Sequence, residues 1–213
     1  MECDMMFETD RELLHIERVS KIPQLKNTHV FAICISCDNK PILAARRTSF
    51  AFQNILSTCK SPMYTMRVPH NLLKYMYPNE IKEISLRLVE GYISKYSINN
   101  NFEELIMLGG KLNSKFESIE ECLIREINEE SDNLLTVLSI GNDILKVTTV
   151  DKLINKTFIS FCTTCYVKES LTNIIKADIF NIEVRALKCL YDVTDNDKYH
   201  YLSFIYNTLC ISK

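Results

Sequence analysis

The chain has 213 residues, 46% of them apolar and 24% charged, with a formal net charge of −2. That length allows one domain, or one domain with a sizeable insertion, and that charge excludes a general electrostatic nucleic-acid binder, so any RNA contact must rest on local patches. No apolar run approaches the roughly 20 residues of a membrane span, and the charged N-terminal stretch lacks the apolar core of a secretory signal. The nine cysteines are an odd number scattered through apolar runs, which points to buried reduced thiols in a cytoplasmic compartment rather than a disulfide framework.

In chain order, Glu8 to Lys21 reads as a short charged segment and Pro23 to Thr28 as a loop. His29 to Cys37 reads as a buried strand, Asp38-Asn39 as a turn, and Pro41 to Arg46 as a second strand. Arg46-Arg47 then leads into Thr48 to Gln53. Roughly sixty residues separate this hairpin from the next glycine pair, too many for a structureless loop in a compact domain. Pro69 and Pro78 stand where helices start, and Ile81, Ile84, Leu88 and Tyr92 recur at helical spacing. A small helical lobe is therefore expected over 52–100, inserted into a domain formed by 1–51 and 101–213. Glu103 to Leu108, Val137 to Thr149, Lys156 to Val167 and Ile182 to Lys188 read as strands. A last helix is expected over Tyr199 to Ile211, with Leu202, Ile205, Tyr206 and Leu209 as its apolar face.

The stretch from Gly109 to Asn133 is the most informative. Ser118 is a good N-cap and Glu121 completes a capping box, so a helix should begin near Ile119. Ile119, Leu123 and Ile127 give it a buried stripe. Glu126 and Glu130 are one turn apart on one face, with Glu129 beside them. Carboxylates gathered this closely repel unless a cation lies among them, and hard oxygen donors suit Mg²⁺ or Mn²⁺. Gly109-Gly110 would let the backbone turn tightly and approach the helix.

This stretch resembles the signature of the Nudix hydrolases, G-x5-E-x7-R-E-U-x-E-E-x-G-U, where U is a bulky aliphatic residue. Glu117, Arg125, Glu126, Glu129 and Glu130 fall on it. The loop from Gly110 to Glu117 carries one extra residue, and Asp132 and Asn133 stand in place of the late glycine and aliphatic. Both tolerate left-handed backbone. The resemblance implies an α/β (α+β) fold, a Nudix α/β/α sandwich with a mixed sheet, here split by the helical lobe. It also implies metal ligation by Glu126, Glu129 and Glu130, catalysis by Glu129 and Glu130, and a structural role for Gly109, Gly110, Glu117 and Arg125. Glu183, in a strand-like segment before the last helix, is the candidate for a further metal ligand from outside the motif.

The segments FETDREL, HVFA, ARRTSFAFQ, FEELIMLGGKL and DKYHYLSFIYN extend the resemblance to the poxvirus mRNA-decapping Nudix enzymes, specifically the shorter, early-expressed type. The implied reaction is removal of the 7-methylguanosine cap from mRNA, with capped mRNA as the partner, no membrane and no obligate protein partner. A cationic methylated guanine stacked between two rings gains about 0.5–2 kcal/mol from cation–π attraction, and a carboxylate can accept from its N1–H and N2–H₂ edge. Phe50 and Phe158 are the candidates for the stack, Asp151 and Glu12 for the edge. Arg46 and Arg47 are candidates for gripping the phosphates, although neighbours on a strand point to opposite sides. The alternatives are a Nudix hydrolase of free nucleoside diphosphate derivatives and a catalytically inactive Nudix-like binding module.

Cys34-x-x-Cys37 and Cys162-x-x-Cys165 suggest a four-cysteine zinc site. Both lie in strand-like runs, where positions i and i+3 face opposite ways, so core packing is the expected role. His15, His29, His70 and His200 show no ligand spacing.

Overall fold

The computed structural model describes residues 4–23, 25, 27–58, 68–87, 93 and 98–210. The chain divides into two compact units, Met1–Ala45 with Leu105–Lys213, and Arg46–Glu104; the sequence reading sets these limits at 52 and 100.

The larger unit is built on a mixed sheet. Strands β1 (Asp4–Glu8), β2 (Glu12–Val19), β8 (Ile144–Asp151) and β9 (Lys156–Val167) form an antiparallel run. Strand β3 (His29–Ile35) lies parallel to β9 and continues the sheet through β4 (Pro41–Arg46) to β10 (Val184–Cys189). Short strands β5 (Leu105–Ile106), β6 (Leu108–Lys111) and β7 (Val137–Ile140) pair with β4, β3 and β9. The central strands β3 and β4 are buried on both faces. Val30, Ala32, Cys34, Ile42 and Ala44 join one core with Leu123 and Ile127 of helix α3 (Ile119–Glu130). Ile33, Leu43 and Ala45 join a second with Tyr201, Leu202, Ile205 and Leu209 of α5 (Tyr199–Cys210). The labels α1, α2 and α4 are kept for Phe50–Thr58, Pro78–Arg87 and Leu171–Lys176. A sheet packed by helices on both faces is the three-layer architecture expected from alternating strands and helices.

Several expectations are corrected. The N-terminal charged segment is a hairpin, β1–β2; Glu12, Leu14 and Ile16 are buried and alternate with the less buried Leu13, His15 and Glu17, which is strand periodicity. The strand expected over Val137 to Thr149 is broken into β7 and β8 around Gly141, whose N–H donates to the Thr164 carbonyl at 2.8 Å while Thr163 Oγ1 donates to the Gly141 and Asp143 carbonyls. The strand expected over Glu103 to Leu108 is two short ones that pair with different partners, β5 with β4 and β6 with β3. Helix α4 was not expected.

The smaller unit contains α1, a 3-10 turn over His70–Tyr75 and α2, so Pro69 and Pro78 do precede or open helical turns. Of its proposed helical stripe, Ile81 and Ile84 are buried; Leu88 and Tyr92 lie outside the described residues, as does Ile211 at the end of the last helix. Glu80 organises the unit from inside. Its carboxylate accepts from Ser49 N–H (2.7 Å), Ser49 Oγ (2.7 Å) and Tyr77 N–H (2.9 Å), and burial raises its pKa above the usual carboxylate range despite those bonds.

Among the described residues Cys34, Cys37, Cys122, Cys162, Cys165 and Cys189 are free thiols. Cys34 and Cys165 sit in one core and Cys162 in the other, on opposite sheet faces as i and i+3 require. Burial pushes the thiol of Cys162 up to about 12 and that of Cys165 likewise.

Candidate active site

The site begins with the turn from β6 into the loop before α3. Gly109 has φ +136°, and a Cβ there would lie 2.3 Å from the Val30 carbonyl oxygen, so only glycine fits. Its N–H donates to Glu130 Oε2 at 2.8 Å, tying the end of the helix to the glycine turn. At Gly110 a Cβ would come within 2.4–2.6 Å of the Glu126 carboxylate. The second glycine therefore makes room for a carboxylate against the backbone.

Helix α3 starts at the expected capping box. Ser118 Oγ accepts from Glu121 N–H at 3.1 Å and the Glu121 carboxylate from Ser118 N–H at 2.8 Å; that bond holds the Glu121 carboxyl below its ordinary range. Cys122, Leu123 and Ile127 are buried beneath it. Its far end turns through Asp132 (φ 52°) and Asn133 (φ 60°), the left-handed residues that replace the signature glycine and aliphatic. Asp132 has a second use. Its carboxylate accepts from Phe180 N–H and, at 3.0 Å, from Asn181 N–H.

Arg125 binds the loop and the acidic face together. Its Nε donates to Glu117 Oε1 at 2.8 Å, Nη1 to Glu126 Oε1 at 2.6 Å and Nη2 to the Lys111 carbonyl at 3.2 Å, with Glu129 Oε2 at 3.6 Å from Nη1. The Arg125 hydrogen bond is the main cause holding the Glu117 carboxyl below the usual range, aided by Asn113 N–H at 2.6 Å. In turn the Glu117 bond raises the arginine's own pKa. The extra loop residue is absorbed between Lys111 and Ser118 without losing the clamp.

The motif glutamates differ in setting. Glu130 is buried, Glu126 is mostly covered, and the Glu129 side chain is 59% exposed. Among the described residues no three His, Cys, Asp or Glu side chains converge as a ready-made cation cage. The donor set still fits a hard divalent ion. It is all carboxylate oxygen, a glycine has been cleared for one of those carboxylates, and a guanidinium already neutralises part of its charge. Glu183 is exposed, immediately before β10 rather than within it, and reaches the motif by tether. Its N–H donates to Asn181 Oδ1 at 2.7 Å, and Asn181 Nδ2 donates to the Glu129 carbonyl at 2.7 Å. Asn181 and Asp132 fasten these segments together, and nothing in the sequence marks them for that role.

The other candidates fall in two groups. Glu12 and Asp151 are brought together as direct cross-strand partners on β2 and β8. Asp151 ends β8 rather than sitting in a loop, and it is buried. Phe158 pairs with Thr149, two residues from Asp151, and its side chain is 49% exposed. His29 pairs with both Lys111 and Ser160, so the glycine turn and Phe158 lie at the same end of the sheet. Phe50 opens α1 in the smaller unit, a different unit from Phe158. The Arg46 guanidinium lies 4.5 Å from the Phe50 ring centroid and its Nε donates to the Thr48 carbonyl at 3.3 Å. Arg46 is buried and Arg47 exposed, the alternation a strand end imposes.

A mixed sheet between helices, with a glycine turn fastened to a helix by a Glu–Arg clamp and carboxylates along that helix, is the architecture of a Nudix-type hydrolase. No family model matches the chain. It is 52% identical to the mRNA-decapping protein of vaccinia virus (strain Copenhagen) over 213 residues, covering 100% of this chain and 98% of that one. It is 51% identical over 207 residues to the mRNA-decapping protein of rabbit fibroma virus (strain Kasza), covering 97% and 98%. A fowlpox virus protein (strain NVSL) that carries a Nudix hydrolase name is 46% identical over 214 residues, covering 100% and 91%. The chain belongs to the poxvirus mRNA-decapping family of Nudix-type proteins.

Proposed function

We propose that this protein hydrolyses the 5′ cap of mRNA in the host-cell cytoplasm, releasing 7-methylguanosine diphosphate and RNA with a 5′-monophosphate, and so promotes mRNA turnover and host shutoff. The observation that carries the reading is the set Glu126, Glu129 and Glu130, all on a helix clamped to Gly109 and Gly110, in a chain aligned end to end with proteins named for decapping.

Mg²⁺ or Mn²⁺ held by Glu126, Glu129 and Glu130, with Glu183, would supply Lewis-acid stabilisation of the charge that builds on the phosphates. The chain's own residues do the rest. Glu130, fixed by the Gly109 amide, gives the acidic face a rigid floor. Glu129, open to solvent on one side and reaching the clamp on the other, would take a proton from an attacking water. Water adds its OH to phosphorus, and the anhydride P–O bond beside the RNA's own phosphate breaks. Glu117 and Arg125 keep the loop on the helix. Phe158 offers an exposed ring to a cationic base beside the Glu12 and Asp151 carboxylates. Arg47, the exposed member of the pair, is the better phosphate contact; Arg46 backs the Phe50 ring.

Inhibition separates this reading from hydrolysis of free nucleotides. Hydrolysis of capped RNA should be blocked by uncapped RNA and only weakly by free cap analogue. The reverse pattern, strong competition by free nucleotide alone, overturns it.

A further inference from the structure

Glu12 and Asp151 sit directly opposite each other on adjacent antiparallel strands. Like charges in that position repel, and both residues are buried: 7% and 2% exposed. Left alone, such a pair would be pushed apart, and an edge of acceptors for a guanine needs its oxygens held in place. The structure supplies a counter-charge to each. Arg11 Nε donates to Asp151 Oδ2 at 2.9 Å. Lys198 Nζ lies 3.8 Å from Glu12 Oε1 and donates to the Leu105 carbonyl at 3.2 Å. Tyr201, on the first turn of α5, donates its hydroxyl to Glu12 Oε2 at 3.0 Å. The remaining Asp151 oxygen, Oδ1, accepts from Leu153 and Ile154 N–H at 2.9 and 3.2 Å, which fixes the carboxylate plane as the chain turns. Arg11, Lys198 and Tyr201 are themselves buried. Two buried cations, Arg11 just before β2 and Lys198 just before α5, thus face two buried anions, Glu12 of β2 and Asp151 of β8.

We propose that Arg11, Lys198 and Tyr201 are positioning residues that hold Glu12 and Asp151 as one oriented acceptor edge for the methylated guanine, so that selectivity for a cationic base is set partly from beneath the carboxylates. The inference rests on the cap-hydrolase reading above. A purely structural ion pair would serve as well with its atoms in other arrangements. Here both carboxylates lie on the sheet face that carries Phe158 at its edge, and each is aimed by a donor from a different element.

The test uses the full chain, with Tyr201→Phe, Lys198→Gln, Arg11→Lys, Glu12→Gln and Asp151→Asn each assayed for kcat and KM on RNA capped with methylated and with unmethylated guanosine, alongside a melting curve. Tyr201→Phe removes one hydroxyl and keeps the packing, so it remains informative if Lys198→Gln fails to fold. The expected result is a KM for methylated cap raised about tenfold in Tyr201→Phe and Lys198→Gln, with the loss carried by KM rather than kcat, and a methylated-to-unmethylated preference reduced severalfold. Arg11→Lys, which keeps the charge, should lose less. If Glu12→Gln and Asp151→Asn raise KM while Tyr201→Phe and Lys198→Gln only lower the melting temperature, the positioning layer is overturned and the edge reading stands. If Glu12→Gln and Asp151→Asn also leave KM and the preference unchanged, both fall together, independently of whether cap is cleaved.

Discussion

Two sets of carboxylates in the larger unit are built in opposite ways. On α3, one arginine serves Glu117, Glu126 and Glu129 together, and Glu129 is largely open to water. At the β2–β8 ladder end, Glu12 and Asp151 are buried and each has its own cation. A shared, partly solvated cation is a weak hold, because exposed ion pairs contribute about 0–1 kcal/mol. A buried partner is a firm one, because removing it strands a charge at a cost of about 3–5 kcal/mol. The first arrangement leaves carboxylates able to change partners during a reaction. The second keeps them fixed, as the proposed recognition of a base edge requires.

The comparison can be broken most sharply at α3. Glu129→Gln and Glu130→Gln should each cut turnover by at least about 10²-fold while leaving the fold intact, measured as kcat on capped RNA with circular dichroism as control. Wild-type rates in either variant would remove the mechanism. The two glycines should then separate stability from activity. Gly109→Ala drives a methyl to 2.3 Å from a backbone oxygen at φ +136° and should cost about 1–3 kcal/mol of stability. Gly110→Ala first meets the Glu126 carboxylate, a side chain that can swing away. It should keep most of the stability and lose activity, by about tenfold on the scale of one displaced catalytic contact. Equal melting temperatures for the two variants would contradict this division.

How much of this was legible in the chain depends on how local the cause is. The capping box, the buried stripe and the Glu117–Arg125 spacing act within one helix and its loop, so they were readable, and the structure bears out the start of α3 at Ile119. The left-handed end at Asp132 and Asn133 followed from two side chains that tolerate it. The N-terminal hairpin was missed because Arg11, Glu12, Glu17 and Arg18 masked the alternation of Leu14 and Ile16. Their charges are satisfied by residues such as Asp151, Lys146 and Asp143, far along the chain. The burial of Asp151 was invisible for the same reason: its partner lies 140 residues away. Asn181, which fastens the Glu183 segment to Glu129 and Asp132, carries no local signal at all.

Smaller effects sharpen the comparison further. Phe158→Ala should reduce the preference for methylated over unmethylated cap by roughly 2- to 30-fold, the range of a cation–π contact of about 0.5–2 kcal/mol. Equal losses on both substrates would count against the stack. The smallest effect is a pH dependence at the clamp. Because Arg125 holds the Glu117 carboxyl below its ordinary value, the clamp's contribution is fully present above the unfolded glutamate value of about 4.3. It is lost as pH falls through the depressed folded value. The melting-temperature gap between wild type and Glu117→Gln should be constant near neutrality and close in acid. A gap independent of pH would show that the bond contributes packing and no charge.

The most direct measurement of the central claim is to incubate the protein with RNA labelled in the cap phosphates, with Mg²⁺ or Mn²⁺, and to identify the released nucleotide. Acidic residues on one helix that direct cleavage to the anhydride beside the RNA should release labelled 7-methylguanosine diphosphate from wild type and not from Glu130→Gln. Release of 7-methylguanosine monophosphate, or the same product at the same rate from Glu130→Gln, would contradict it.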